Sequence, residues 1–451
     1  LLYNQRIMGA RKYLPLIFLL SLVIGCGQGE QPVEPTTPVA NAGADQTVFI
    51  DLQCQLDGSA SSGNLAVYAW RAKSLPAGAS SPVIASSGSS KAYFTPTSSG
   101  TYEFELELSN SLGISTDEVA ITVTAFVAAS IEAGFFGVCA HLQSHDGAPA
   151  TDMDRSIQMM ADAGVQFVRF DFDWKDIEPQ DDSFSFSKYD NIIAKLKAKN
   201  IKVLGILDYG NNWSDPTTGD TAQINRFADF ALNTVKHFGA DVVLWQVWNE
   251  PNNENFWSNP SAVNYTKLLK AAYGAIKQGS PEAVVVLGGL VGNGIERVEF
   301  FGMLFAKENF LPDIYSNGGK DYFDVASIHP YTFATTISAT TSIESAIDDA
   351  RAVMASNGDN AKPLWITELG PLYFPPEPVL FISDRGYSEN EVASWLDLIY
   401  TNLQAKCGKL FWYEFRDYPS SGSFENPDWE GLVKADYTSK EAYTAYKNLS
   451  K

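Results

Sequence analysis

Two glutamates stand where a carboxylate is costly to place without a task. Glu250 lies in Trp248-Asn249-Glu250-Pro251-Asn252, directly after the apolar run Val242-Val243-Leu244-Trp245-Gln246-Val247, which has the length and composition of a buried strand. Glu368 ends a second such run, Pro363-Leu364-Trp365-Ile366-Thr367, and is followed by Leu369 and Gly370. In a parallel barrel every strand delivers its C-terminal residue to one face, so carboxylates remote in sequence converge on one pocket. Such a pair suits cleavage of a glycosidic bond: a protonated carboxyl donates to the leaving oxygen while an ionised partner attacks the sugar carbon. A separation of about 5 to 5.5 Å gives retention of configuration. Structural salt bridging is the alternative for both residues.

The elements that must position them follow from the pattern around them. Strand candidates fall at 134 to 139, 166 to 172, 201 to 207, 242 to 248, 284 to 290, 323 to 328, 363 to 367 and 409 to 415. Amphipathic helices alternate with them, one marked by Met153, Ile157, Met160 and Ala161, another by Ile224, Phe227, Ala231 and Val235. A third carries Val392, Trp395, Leu396 and Ile399 behind a Ser388-to-Glu391 capping box. Alternating strands and helices at this count predict an α/β fold, a (β/α)8 TIM barrel spanning residues 131 to 451.

These motifs resemble those of the glycoside hydrolases of clan A, with families 39 and 5 the nearest, and the resemblance covers roughly residues 131 to 451. It implies that Asn249 and Glu250 are the Asn-Glu pair ending the fourth strand, with Glu250 the acid/base and Asn249 bonding the substrate, and that Glu368 is the nucleophile. It places Arg169, in Gln166-Phe167-Val168-Arg169-Phe170-Asp171, beside the nucleophile, and Tyr331, in His329-Pro330-Tyr331, against it. His329 becomes a subsite residue, with a satisfied core histidine as the alternative, and Trp412, in Leu410-Phe411-Trp412-Tyr413-Glu414, part of the sugar platform. The third strand ends in Leu207-Asp208-Tyr209-Gly210 without the histidine common in family 5, which favours the family 39 side. The implied activity is that of a retaining enzyme acting on a β-linked polysaccharide or oligosaccharide, without an organic cofactor. Transglycosylation, endo-action on a biofilm matrix and a glycan-binding protein without catalysis are the alternatives.

Upstream of the barrel, Arg11 and Lys12 precede an apolar stretch from Leu14 to Ile24 that closes in Val23-Ile24-Gly25-Cys26. This resembles a bacterial lipoprotein signal, implying acylation of Cys26 and placement on the cell surface or outer membrane. Residues 27 to 38 are proline-rich and read as an extended tether. From 39 to 127 the texture is alternating and turn-rich, as in Tyr102-Glu103-Phe104-Glu105-Leu106, predicting a small immunoglobulin-like β-sandwich. It resembles a polycystic-kidney-disease repeat and reads as a rigid spacer with Trp70 in its core rather than as a sugar-binding surface.

Composition narrows the field further. With 53 acidic against 32 basic residues, the net charge of −21 disfavours nucleic acid. Neutral glycans carry no such penalty. Beyond Cys26 the cysteines are Cys54, Cys139 and Cys407, an odd set that predicts buried free thiols. His141 ends the first strand and is a candidate sugar contact. With His145 it gives two histidines and no third ligand, so no metal site is assigned. The chain is read as a monomer.

Overall fold

The structure is a computed structural model describing residues 34–50, 53–64, 66–125, 131–144, 150–300, 303–332, 337–371, 388–417 and 430–451. The leader with Cys26, and His145, lie outside the described residues. Among the described residues no helix is long and apolar enough to cross a membrane.

The N-terminal module contains β1 (Gln46–Phe49), β2 (Cys54–Asp57), β3 (Val67–Ser74), β4 (Lys91–Phe94), β5 (Gly100–Asn110) and β6 (Gly113–Thr124). They form a sheet in the order β1-β6-β5-β3 and a second sheet of β2 and β4. Alternation explains the packing: Tyr102, Phe104, Leu106 and Leu108 of β5 all point inward and are buried. Phe94 of β4 packs on Phe104 with ring centroids 4.4 Å apart. Trp70 is buried here, and its indole N–H donates to the Ser89 carbonyl at 3.1 Å. The expected tether is not free over its last residues. The amide of Asn64 donates to the Glu34 carbonyl at 2.6 Å, and that of Asn110 to the Thr36 carbonyl at 2.7 Å. Polar side chains at the sandwich edge thus satisfy a backbone that composition alone marks as unpaired.

The rest of the chain is the (β/α)8 barrel. Its strands are β7 (Phe136–Cys139), β8 (Phe167–Asp173), β9 (Lys202–Asp208), β10 (Leu244–Val247) and β11 (Val284–Val286), continued by the short β12 (Leu290–Val291). After a hairpin of β13 (Val298–Phe300) and β14 (Met303–Ala306) come β15 (Ala326–His329), β16 (Leu364–Leu369) and β17 (Leu410–Trp412). Parallel ladders run in the order β11-β10-β9-β8-β7-β17-β16-β15-β12. The ring closes at the interrupted fifth strand, where Val286 bridges Val325 and β12 pairs with β15. The eight expected strands appear in their expected places.

Around the ring lie α1 (Ala150–Asp162), α2 (Trp174–Ile177), α3 (Ser187–Ala198), α4 (Thr221–Phe238), α5 (Ala262–Gly279), α6 (Phe310–Ser316), α7 (Ile337–Ser356), α8 (Glu389–Leu403) and α9 (Glu441–Leu449). Asp220 caps α4 by accepting from the N–H groups of Ala222 and Gln223, and the expected capping box of Ser388 and Glu391 starts α8. Cys139, Phe167, Leu204, Leu244, Trp365 and Phe411 fill the barrel interior. Cys54, Cys139 and Cys407 are free and buried, as expected.

Gly205 of β9 shows how tight the layer between strands and helices is. A Cβ there would lie 2.7 Å from the Trp245 ring and 2.9 Å from that of Phe172, two rings already in edge contact at 4.9 Å. Gly205→Ala is expected to destabilise the protein by about 1–3 kcal/mol through overpacking, read as a lower midpoint in thermal melting. An unchanged midpoint would show that the layer relaxes around the extra carbon.

Candidate active site

Each catalytic candidate stands at the C-terminal end of a barrel strand. Past β10, Trp248 and Glu250 both adopt left-handed backbone angles, with φ of 69° and 43°. Neither is glycine, so the loop is strained by about 1–3 kcal/mol per residue and must be pinned from outside. It is held by the Trp248 indole, which donates to the Phe256 carbonyl at 3.0 Å, and by the Asn253 N–H, which donates to the Glu250 carbonyl at 2.9 Å. On the other side of the barrel the register of β16 against β17 shifts between Ile366 and Leu369. Such an irregularity re-aims side chains. Trp365 stays in the barrel interior, while Thr367 and Glu368 both reach polar partners above it.

Glu368 is only 7% exposed and both its oxygens are engaged. Oε1 accepts from Arg169 Nη1 at 2.5 Å and Oε2 from the Tyr331 hydroxyl at 2.9 Å. Burial by itself would raise its pKa, but the charge of His329 when protonated and that of Arg169, with the bonds from Arg169 and Tyr331, hold the carboxyl below its ordinary value. Tyr331 stays protonated because burial and the charge of Glu368 push its phenol well up. Arg169 also donates Nη2 to Asn249 Oδ1 at 2.8 Å and Nε to Gln246 Oε1 at 3.0 Å. Asn249 is therefore held by its oxygen, and among the described residues its amide nitrogen makes no hydrogen bond and remains a donor for a ligand.

Glu250, 6% exposed, has a different surrounding. Its Oε1 lies 2.8 Å from His329 Nδ1, and its Oε2 accepts from Asn253 Nδ2 at 2.7 Å. His329 Nε2 meets Thr367 Oγ1 at 2.9 Å, so the imidazole has a hydroxyl on one side that serves as donor or acceptor. The ring can thus accept a hydrogen bond from Glu250 or donate one to it. Gly289 makes room for this: a Cβ there would fall 1.9 Å from His329 Nε2. One atom each of Glu250, His329 and Glu368 lie mutually within 4.8 Å, a spacing a cation could bridge, but the atoms are already engaged by protein partners.

The structure thus brings together Arg169, Asn249, Glu250, His329, Tyr331 and Glu368. His141 stands on the adjoining wall, 3.4 Å from the Tyr413 hydroxyl and 3.7 Å from both Asp171 and Glu414. Burial opposes its protonation, yet the hydrogen bond and charge of Asp171, with Glu414 and Glu368, raise its pKa above the usual imidazole value. Trp412 is a correction. It is fully buried on the helix side of β17, packed on Trp395 with centroids 5.6 Å apart, and its indole donates to the Glu430 carbonyl at 3.1 Å. The inward position belongs to Tyr413, one residue on, because side chains alternate faces and Phe411 already points into the barrel.

Sequence reasoning also missed Gln246, Asn253 and Thr367, which hold the named residues, and the acidic wall of Asp171, Asp208 and Glu414. Alternation from Arg169 places Asp171 on the same face. No comparable signal marks Asn253 or Thr367. Asp208 is fully buried, and burial followed by the charges of Asp171 and Asp173 pushes its carboxyl well above the usual range.

A (β/α)8 barrel with two buried, differently supported glutamates at its strand ends is the build of a clan A glycoside hydrolase. Residues 127–413 match the model of Cellulase (glycosyl hydrolase family 5), and the chain belongs to that family. Residues 42–123 match the model of a PKD domain. A β-xylosidase of Geobacillus stearothermophilus is 26% identical over 168 residues, which is 33% of this chain and 31% of that protein. The chain thus spans under a third of that relative.

A family 39 glycoside hydrolase from Bacteroides cellulosilyticus has the same fold, with a TM-score of 0.55 at 19% identity over 92% of this chain and 82% of that one. So does a family 39 β-xylosidase from Caulobacter crescentus, at 0.54 and 18% over 72% of each chain. The missing histidine at the end of β9 therefore does not separate the chain from family 5, while family 39 is represented among its structural neighbours.

Two outcomes follow. Tyr331→Phe removes a hydrogen bond that favours ionised Glu368, so its pKa rises and the acid limb of kcat/KM moves to higher pH. The rate at neutral pH is expected to fall about 10- to 100-fold. An unmoved acid limb would show that Tyr331 does not tune Glu368. Glu414 is raised from its ordinary 4.5 to about 8, chiefly by burial, with His141 opposing and Glu430 and Asp417 adding to it. A raised carboxyl must take up a proton on folding, so stability is lost as pH rises from 4.5 to about 8. Glu414→Gln should lose less melting temperature across that window than the parent protein.

Proposed function

We propose that the protein is a retaining glycosidase acting on a β-linked polysaccharide or oligosaccharide, with Glu368 as nucleophile and Glu250 as acid/base. The observation that carries this reading is the approach of the two carboxylates, with one oxygen of each within 4.8 Å of the other. Retaining enzymes hold their carboxyls about 5–5.5 Å apart, whereas inverting enzymes leave about 6.5–9.5 Å for a water.

Glu368, kept ionised by Arg169 and Tyr331, attacks the anomeric carbon. The bond to the leaving oxygen breaks as Glu250 gives that oxygen its proton. Water then enters, Glu250 takes a proton from it, and the hydroxide oxygen displaces Glu368 from the anomeric carbon. His329, between Glu250 and Thr367, supports both protonation states of Glu250 by switching which ring nitrogen carries its proton. Asn249, held by Arg169, offers its amide to a sugar hydroxyl. Placement at a membrane surface through Cys26 is a further part of the proposal and rests on the leader sequence alone.

Azide separates the two roles. In Glu368→Ala, turnover should fall by several orders of magnitude, and azide in the vacated space should give a glycosyl azide of inverted configuration. In Glu250→Ala, an aryl glycoside with a good leaving group should still form the covalent intermediate, and azide, which needs no deprotonation, should restore turnover with retained configuration. The same azide product from both variants, checked by NMR, would show the roles to be misassigned.

A further inference from the structure

Gln246, on β10, is fully buried and takes no part in the proposed steps. Leu244, two residues earlier, lies in the barrel interior and Trp245 packs outward on Phe172, so alternation turns Gln246 inward as well. An amide in that layer is costly unless both its ends are met. Both are. Its Oε1 accepts from Arg169 Nε at 3.0 Å, and its Nε2 donates to the Trp248 carbonyl at 2.8 Å. The strand does not depend on this side chain, because the backbone of Gln246 pairs with Ile206 on one side and Val286 on the other.

The two bonds close a ring. Arg169 also donates to Asn249 through Nη2 at 2.8 Å, and Asn249 follows Trp248 in the chain. The guanidinium, the Gln246 amide and the peptide joining Trp248 to Asn249 therefore fix one another, while Nη1 of the same guanidinium holds Glu368. Trp248 is one of the two strained residues of this turn, with its φ of 69°, and the amide holds its carbonyl from within the barrel. One side chain thus spans the cation that serves Glu368 and the turn that presents Glu250. Its type follows from its partners. Arg169 only donates and a peptide carbonyl only accepts, so the group between them must do one of each at a fixed reach. An ionised carboxyl cannot donate, a thioether has no proton to give, and asparagine is one methylene short.

We propose that Gln246 is a positioning residue of the glycosidase: its amide locks the Arg169 guanidinium onto Glu368 and keeps the turn that carries Glu250 in register with it. The proposal rests on Glu368 being the nucleophile and Glu250 the acid/base. Gln246 acts through Arg169 and the turn, so it governs turnover rather than substrate binding.

The test compares two variants of similar size, in the full chain, on an aryl glycoside that the parent protein hydrolyses. Gln246→Met removes both bonds. Its kcat is expected to fall about 10- to 100-fold with KM within about twofold. Because the hold of Arg169 on Glu368 loosens, the acid limb of kcat/KM moves to higher pH. Gln246→Glu responds to pH in the opposite sense. Its new carboxyl faces the Trp248 carbonyl, which favours the protonated form, and in that form it donates to the carbonyl and accepts from Arg169 as the amide does. Its activity relative to the parent protein should be near full at acid pH and fall as pH rises, while that of Gln246→Met falls as pH is lowered.

Parent-like rates and an unmoved acid limb in Gln246→Met overturn the proposal. So does a loss that is the same at every pH in both variants and follows their melting temperatures, which is what a purely structural amide would give. Should Gln246→Met fail to fold, the pH slope of Gln246→Glu decides by itself. If the parent protein turns over no glycoside, the proposed function fails separately, and the brace is judged by carbon NMR titration of the Glu368 carboxyl. Its midpoint must rise in Gln246→Met, and equal midpoints sink the proposal.

Discussion

The buried ion pair of Arg169 and Glu368 is the interaction on which the rest of the site depends. Arg169 is 3% exposed, so its charge must be met inside the protein. Its three nitrogens fork to Glu368 on β16, Asn249 after β10 and Gln246 on β10. A single side chain from β8 thus sets the distance between the strand that carries the proposed nucleophile and the loop that carries the proposed acid. Breaking one partner of a buried pair leaves an uncompensated charge, at a cost of about 3–5 kcal/mol. The same fork gives Glu368 a cation at close range, which burial alone would deny it.

The two glutamates are nearly equally buried and yet differently served. Glu368 has a cation and a phenol that both favour the ionised form. Glu250 has an amide and an imidazole, and the imidazole accommodates either protonation state. Two carboxyls whose surroundings separate their tasks are a general solution to acid and base chemistry in one pocket. The backbone contributes as well, through the left-handed Trp248 and Glu250 and the irregular register of β16.

Much of this was legible in the sequence because barrel strands are long apolar runs and their last residues are the exceptions to that pattern. Glu250, Glu368, Arg169, His329 and Tyr331 each break an apolar or extended run, and each lies in the site. Trp412 shows where the signal ends. A strand buried on both faces has no polar side to fix its parity, so Trp412 and Tyr413 are equivalent until the structure shows which faces Trp395 and which the cleft. Asn253 and Thr367 were hidden for another reason. Their importance lies in one hydrogen bond each across loops or strands, and nothing in their neighbours announces it. The acidic wall of Asp171, Asp208 and Glu414 became visible only once β8, β9 and β17 were side by side.

The central claim is that Glu368 becomes covalently bonded to the sugar. Reacting the protein with 2-deoxy-2-fluoro glycosides bearing a good leaving group slows breakdown of that bond, and peptide mapping by mass spectrometry then locates the sugar. The account predicts one fluorosugar per chain, attached to Glu368, and none on Glu368→Ala. A label on Glu250 or on any other residue would contradict it, as would wild-type turnover that releases the sugar with inverted configuration.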